Sequence, residues 1–178
     1  PEVLFVTCSD SRIDPELLTQ SPPGRMFVLR NAGNLIPPQH AQAGGEVATL
    51  HYAVETLKVH HIVVCGHIGC GAMDAIVSGQ PLPDVLGQWL RHAGPVGPLS
   101  GGVAALAVEL NVQQQLANLR THAFVAEAEL EGALQLHGWV YDIPRGEVKA
   151  LDATRKEFRC LEEVHEEEAL VHELTGAA

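Results

Sequence analysis

Two short stretches carry residue types able to do chemistry, Cys8-Ser9-Asp10-Ser11-Arg12 and His67-Ile68-Gly69-Cys70. Together they offer two thiols, an imidazole, and a carboxylate beside a guanidinium. Cysteine, histidine and aspartate are the side chains that bind zinc. His67 and Cys70 stand three apart, so one turn of chain lets both face a single ion, with Cys8 as a third ligand. Two thiolates and one neutral imidazole leave a tetrahedral ion one open position, the arrangement of a catalytic site and not a structural one. Asp10 is the conditional fourth ligand, and it would make the site inert if it closed that position. Arg12 argues against permanent closure, because an Asp–Arg pair can hold the carboxylate off the metal and aim its free oxygen at a bound water.

Each stretch begins where an apolar run stops. Val3-Leu4-Phe5-Val6-Thr7 reads as a buried strand ending at Cys8, and His61-Ile62-Val63-Val64-Cys65 as another, stopping at Gly66 and delivering His67. Asp14-Pro15 places an N-cap before a first-turn proline and opens a helix through about Thr19. Met26 to Arg30 is a further strand, followed by the tight loop Asn31-Ala32-Gly33-Asn34, and Pro37-Pro38 prevents helix there. Val47, Leu50, Val54 and Leu57 recur at helical spacing and predict a helix over 42–57, with Tyr52 off that stripe.

A helix is expected from Cys70 through Val77, a short helical piece around Trp89 and Leu90, a long helix from Val103 to Leu119 and another from Ala123 to Glu131. Leu134 to Ile143 reads as a strand, and Val148 to Leu151 pairs back on it beyond the turn 144–147. The fold class is α/β: a central, mostly parallel sheet flanked by helices, with an antiparallel C-terminal hairpin or edge strand, all in a single domain over 1–178. If the first strand lies between the second and third, the crossovers leave it in opposite directions. The carboxyl ends of strands one and three then border the switch-point crevice where open α/β sheets bind ligands. Cys8 and His67 are the first residues past those ends.

Composition narrows the function classes. With 46% hydrophobic and 19% charged residues the 178-residue chain reads as globular and long enough for a real core. A formal net charge of −11 argues against sequence-independent nucleic-acid binding, which needs Lys and Arg to displace counterions. Six Glu and no Lys or Arg fall between Cys160 and Ala178, and this acidic end is expected to be a solvated face or tail. No run reaches the ~18 apolar residues of a membrane span, and no signal-peptide pattern is present. Four cysteines do not form a disulfide framework, so a reducing, cytoplasmic setting is expected. The sequence opens on Pro1 and not on Met, and a preceding N-terminal portion is expected.

Taken together, Cys8-Ser-Asp-Ser-Arg12, Arg30-Asn-Ala-Gly-Asn34 and Gly66-His-Ile-Gly-Cys-Gly-Ala72 resemble a β-class carbonic anhydrase. The resemblance continues through Asn111-Val, Gln115-Leu-Ala-Asn-Leu119 and His137-Gly-Trp-Val-Tyr141, and so covers the chain to about Leu151. It implies reversible hydration of carbon dioxide to bicarbonate and a proton, by attack of a zinc-bound hydroxide oriented by the Asp10–Arg12 dyad. It also implies one zinc per subunit on Cys8, His67 and Cys70, and a homodimer, tetramer or larger assembly with active sites at the subunit interface. Phe27, Ala32 and Tyr52 match residues lining the carbon dioxide pocket, with Tyr52 reaching across the dimer, and Gly33 and Gly71 would let backbone approach the metal's water.

The resemblance also implies N-terminal helices that embrace the partner, and the given residues, opening on Pro1, are not expected to include them. One subgroup builds a bicarbonate site that locks Asp onto zinc from a Trp, an Arg and a Tyr. Arg30 and Tyr141 match that site, but Phe5 stands in the Trp position, so the open state is expected.

Other readings remain open at this point. Relatives of this fold attack carbonyl sulfide or carbon disulfide, and a metal-stabilised scaffold with lapsed catalysis would need no Asp10–Arg12 pair. A cysteine nucleophile paired with His67 leaves the second thiol unexplained. Gly66, Gly69 and Gly71 resemble a phosphate loop only superficially, for no Gly-Lys-Ser/Thr ending follows. Cys65 reads as a core thiol, Cys160 as structural, and Trp89 and Trp139 as packing residues. His40, His51, His92 and His122 could shuttle protons to buffer, but each alone reads as incidental.

Overall fold

The computed structural model describes residues 1–42, 44–96 and 104–164. Six strands form one sheet: β1 (Val3–Cys8), β2 (Met26–Asn31), β3 (His61–His67), β4 (Gln135–Asp142), β5 (Glu147–Asp152) and β6 (Glu157–Cys160). Their order is β2-β1-β3-β4-β5-β6, with the first four parallel and the last two antiparallel. The expected fold class holds, including the position of β1 between β2 and β3. Register places Cys8 opposite Asn31 of β2, while β1 pairs β3 from Val3 and His61 to Thr7 and Cys65. Thr7 Oγ1 donates to the Cys65 carbonyl at 3.0 Å, fastening the two strands just before their chemistry-bearing ends.

The crossovers explain why Cys8 of β1 and His67 of β3 can meet. Between β1 and β2 the chain forms α1 (Pro15–Thr19), capped by the Asp14 carboxylate, which accepts from the Leu17 N–H at 3.0 Å. Leu18 of α1 packs with Phe5, Val63 and Cys65 on one sheet face. Between β2 and β3 the chain forms α2 (Gly45–His51), and Leu50, Ala53 and Val54 join the core on the opposite face. One crossover therefore lies on each side of β1, which leaves the crevice between the carboxyl ends of β1 and β3 open.

The helix expected over 42–57 is shorter and changes pitch. It starts at Gly45, and Tyr52–Thr56 form a π-turn in which the Leu57 N–H reaches the Tyr52 carbonyl at 3.0 Å. Tyr52, already off the apolar spacing, opens this wider turn and stays 48% exposed.

Downstream lie α3 (Gly71–Ser78), α4 (Asp84–Leu90), α5 (Ala104–Arg120) and α6 (Ala123–Leu130). The expected start of the long helix at Val103 and the acidic segment from residue 165 lie outside the described residues. No sequence expectation covered β6. Its turn is organised by Asp152, whose Oδ1 accepts from the N–H groups of Thr154 and Arg155, each at 2.9 Å.

Helix α5 lies against β3 and β4 because two strand positions carry no side chain. A Cβ on Gly66 would meet Val108 Cγ1 and Val112 Cγ2 at 2.8 Å, and one on Gly138 would meet Val112 Cγ1 at 2.9 Å. The opposite sheet face is less covered, and a cavity of about 930 Å³ there is lined in part by Phe5, Val63, His137 and Trp139. Overpacking a closed interface costs about 1–3 kcal/mol. Gly138→Ala is therefore expected to lower unfolding stability by roughly that amount in urea titrations. An unchanged midpoint would show that α5 can lift off the sheet freely.

Candidate metal centre and active site

Cys8 ends β1, His67 ends β3, and Cys70 caps the N-terminus of α3 after a left-handed turn at Gly69 (φ +70°). The Ile68 N–H donates to the Tyr141 carbonyl at 2.9 Å, which ties this loop to β4. The Cys8 and Cys70 sulfurs lie 3.9 Å apart, and the two sulfurs and a His67 ring nitrogen all fall within 4.8 Å of one another. Two thiolates bound at ~2.3 Å to one tetrahedral ion stand about 3.8 Å apart.

His67 is 0% exposed, and its Nδ1–H donates to the Ile68 carbonyl at 3.1 Å. That bond makes Nε2 the lone-pair nitrogen, and among the described residues Nε2 has no hydrogen-bond partner. A buried acceptor left unpaired costs about 1–3 kcal/mol, which a cation at this point would offset. The residues present therefore fit a metal.

The two thiols titrate unequally. The hydrogen bond from Cys70 pulls Cys8 far below the ordinary thiol value against its burial, helped by His67 and by the N–H groups of Gly33 and Asp10. Cys70 is pushed up by the same bond, by burial and by the Cys8 charge. One negative charge thus forms readily at the pair, and the second requires a cation.

Asp10 and Arg12 form a two-pronged pair beside this centre. Arg12 Nε donates to Oδ1 at 2.9 Å, Nη2 to Oδ2 at 2.7 Å, and the Arg12 backbone N–H to Oδ1 at 3.0 Å. Hydrogen bonds from the guanidinium, then from the backbone, hold the Asp10 carboxyl well below the usual carboxylate range. A depressed carboxylate loses its charge only in strong acid, so Asp10 is an anion throughout the neutral range. Its Oδ2 lies 3.9 Å from His67 Nε2, too far for a hydrogen bond and near enough to face the same point.

Arg12 Nη2 also donates to the Gly69 carbonyl at 3.2 Å, so one side chain joins the two loops. Arg30 supports the first loop from β2, donating to the Cys8 carbonyl at 3.2 Å and the Asp10 carbonyl at 2.8 Å.

The carbonic anhydrase family model matches residues 3–148. The chain belongs to the β-carbonic anhydrase family. Carbonic anhydrases are lyases that hydrate carbon dioxide. The chain is 50% identical over 174 residues to a carbonic anhydrase of Pseudomonas aeruginosa, covering 92% of this chain and 79% of that one. It superposes on the β-carbonic anhydrase CcaA with a TM-score of 0.83 at 41% identity, covering 90% and 84% of the two chains. A tetrameric β-carbonic anhydrase of Sordaria macrospora gives a TM-score of 0.76 at 33% identity, covering 86% and 81%.

The other residues expected to line the pocket are distributed unevenly. Gly33 lies beside the thiols, with its N–H towards Cys8 and a φ of +84°. Ala32, next to it, is exposed in the single chain. Gly71 has nothing within 4 Å of a built Cβ, so the single chain itself places no steric demand for glycine there. Phe27 and Tyr52 pair with each other at 6.0 Å between ring centroids. Phe27 sits four residues before Asn31 on β2, about 13 Å at strand rise from the level of Cys8, so the chain does not bring this pair to the thiols.

Among the shuttle candidates, His122 is buried, with Nε2 donating to the Pro37 carbonyl at 2.9 Å, and serves the loop instead. Cys65 is a core thiol as expected, its pKa pushed up to about 12 by burial. Cys160 is exposed at the end of β6.

A polar ladder on α5 had been visible only as part of the resemblance. Asn111 donates to the Gly33 carbonyl at 3.0 Å, Gln115 accepts from the Ile36 N–H at 2.8 Å, and Asn118 donates to the Ile36 carbonyl at 2.9 Å. Polar amides at positions 111, 115 and 118 of an otherwise apolar helix face were the available signal. If the three ligands act as one centre, Cys70→Ser should cut bound metal from about one ion per chain to under about a tenth. Cys65→Ala should retain it. Equal metal content in the two variants, by elemental analysis, would contradict the assignment.

Proposed function

We propose that this chain catalyses the reversible hydration of carbon dioxide to bicarbonate and a proton, with zinc held by Cys8 Sγ, His67 Nε2 and Cys70 Sγ. The observation that carries this is the partnerless, buried Nε2 of His67 facing two thiols, with the charged Asp10–Arg12 pair at the rim. When bound, zinc makes water acidic enough to act as a nucleophile near neutral pH.

The chain's own groups supply the rest. Arg12 keeps Asp10 ionised and turned to the guanidinium, so the carboxylate stays off the fourth position. Asp10 Oδ2 accepts a hydrogen bond from the attacking oxygen, which selects an oxygen carrying one proton and orients its lone pair. The Gly33 N–H and the Arg30 bonds fix the backbone on which Cys8 and Asp10 stand. Ala32, Gly33 and Gly71 form the near wall of the carbon dioxide pocket.

Phe27 and Tyr52 serve the pocket of a second copy. A homodimer or larger assembly is supported by the tetrameric relative and by this separation. Two thiols that must stay reduced suit a reducing compartment such as the cytoplasm. Among the described residues no helix is long and apolar enough to cross a membrane.

Stopped-flow carbon dioxide hydration with metal content measured on the same sample tests this reading. Zinc-loaded protein without hydration activity near neutral pH would overturn it. Asp10→Asn keeps the shape and loses the charge. It should retain zinc and lose roughly 10²-fold or more in kcat, and unchanged turnover would remove Asp10 from the mechanism.

A further inference from the structure

Trp89 lies on α4, partly buried, with its ring edge-on to His92 at 5.5 Å. Its residue type and position suggested packing alone. In the structure its indole Nε1–H donates to the Ala32 carbonyl at 2.8 Å, across 57 residues of sequence.

The acceptor matters because Ala32 C=O and Gly33 N–H belong to one peptide unit. No described peptide bond is cis, and in a trans peptide the carbonyl and the N–H point to opposite sides. Fixing the oxygen towards Trp89 therefore fixes the hydrogen in the opposite direction, on the side of Cys8, whose thiol the Gly33 N–H makes more acidic. The next carbonyl, of Gly33, is held by Asn111 Nδ2 at 3.0 Å. Gly33 itself is confined on its third side, where an added Cβ would come within 3.1 Å of the Ala72 methyl. Helices α3, α4 and α5 thus grip one short loop, and Trp89 is the member that sets the tilt of its leading peptide.

We propose that Trp89 is a positioning residue for Cys8, acting through the Ala32–Gly33 peptide to aim an N–H at the ligand sulfur. This rests on the reading of Cys8 as a metal ligand. A donor at the carbonyl polarises the amide and strengthens its N–H, and that N–H draws charge away from the thiolate. Without the indole N–H the peptide can tilt, and the sulfur then gives more of its charge to the metal. Ala32, on the same peptide, moves with it.

The test uses the full chain with cobalt(II) in place of zinc, where sulfur-to-metal charge transfer reports the thiolates directly. Two substitutions at position 89 alone remove the donor: Trp89→Phe, and Trp89→benzothienylalanine, which keeps both rings and replaces the N–H by sulfur. A third, Trp89→7-azatryptophan, retains the N–H. The first two should shift the charge-transfer band to lower energy and, in the zinc form, reduce kcat/KM roughly 10-fold. The third should match the parent in both readouts. A benzothienylalanine variant with parental band and activity would overturn the proposal, and so would a change confined to the Phe variant, which would leave only packing. A parent protein without any sulfur-to-cobalt band would overturn the metal-ligand reading itself, and the proposal with it.

Discussion

Two sulfurs 3.9 Å apart and a buried imidazole nitrogen with no partner among the described residues make a costly arrangement for a protein interior. Two thiolates repel, and an unpaired acceptor has lost its water without compensation. The cost is removed by one cation between them, and the surrounding structure exists to keep that point fixed. The strand order provides the meeting place, because β1 and β3 are neighbours whose flanking crossovers lie on opposite faces. Arg12 then closes the gap between the loops, since its guanidinium binds Asp10 of one and the Gly69 carbonyl of the other.

Rigidity behind the site comes from polar side chains placed where apolar ones would ordinarily lie. Asn111, Gln115 and Asn118 are buried, and each is satisfied by backbone of the 33–36 loop or by the His92 carbonyl. Asn31 brackets Leu35 by accepting from its N–H at 2.7 Å and donating to its carbonyl at 2.9 Å. Buried networks of this kind favour one arrangement because any shift leaves polar atoms unpaired. Gly66 and Gly138 let α5 approach closely enough for the ladder to reach the loop. The precision of the candidate metal site is thus set partly by a helix that adds no residue to the Cys8, His67 and Cys70 group.

Much of this was legible in the residues themselves. β-Branched runs ending at Cys8 and before His67 marked the two strands, the Asp14-Pro15 cap marked α1, and the crossover argument placed β1 centrally. These signals are local, or follow from topology. What escaped the sequence was set at long range. The π-turn at Tyr52 depends on how α2 packs, and β6 depends on pairing with β5 and on a turn nucleated by Asp152. The indole N–H of Trp89 has its acceptor 57 residues away, and nothing in the local pattern announced it. The placement of Phe27 and Tyr52 was hidden for a different reason. Their match to a pocket was visible, but a single chain keeps them together and apart from the thiols.

The central claim is that the two loops make one metal centre with two sulfurs and one nitrogen from this chain. X-ray absorption at the zinc edge of the purified, zinc-loaded protein tests it most directly. The account predicts two sulfur neighbours at about 2.3 Å and one histidine nitrogen at about 2.0 Å, with a single light-atom neighbour completing four. A shell of nitrogen and oxygen alone, or one holding a single sulfur, would contradict it.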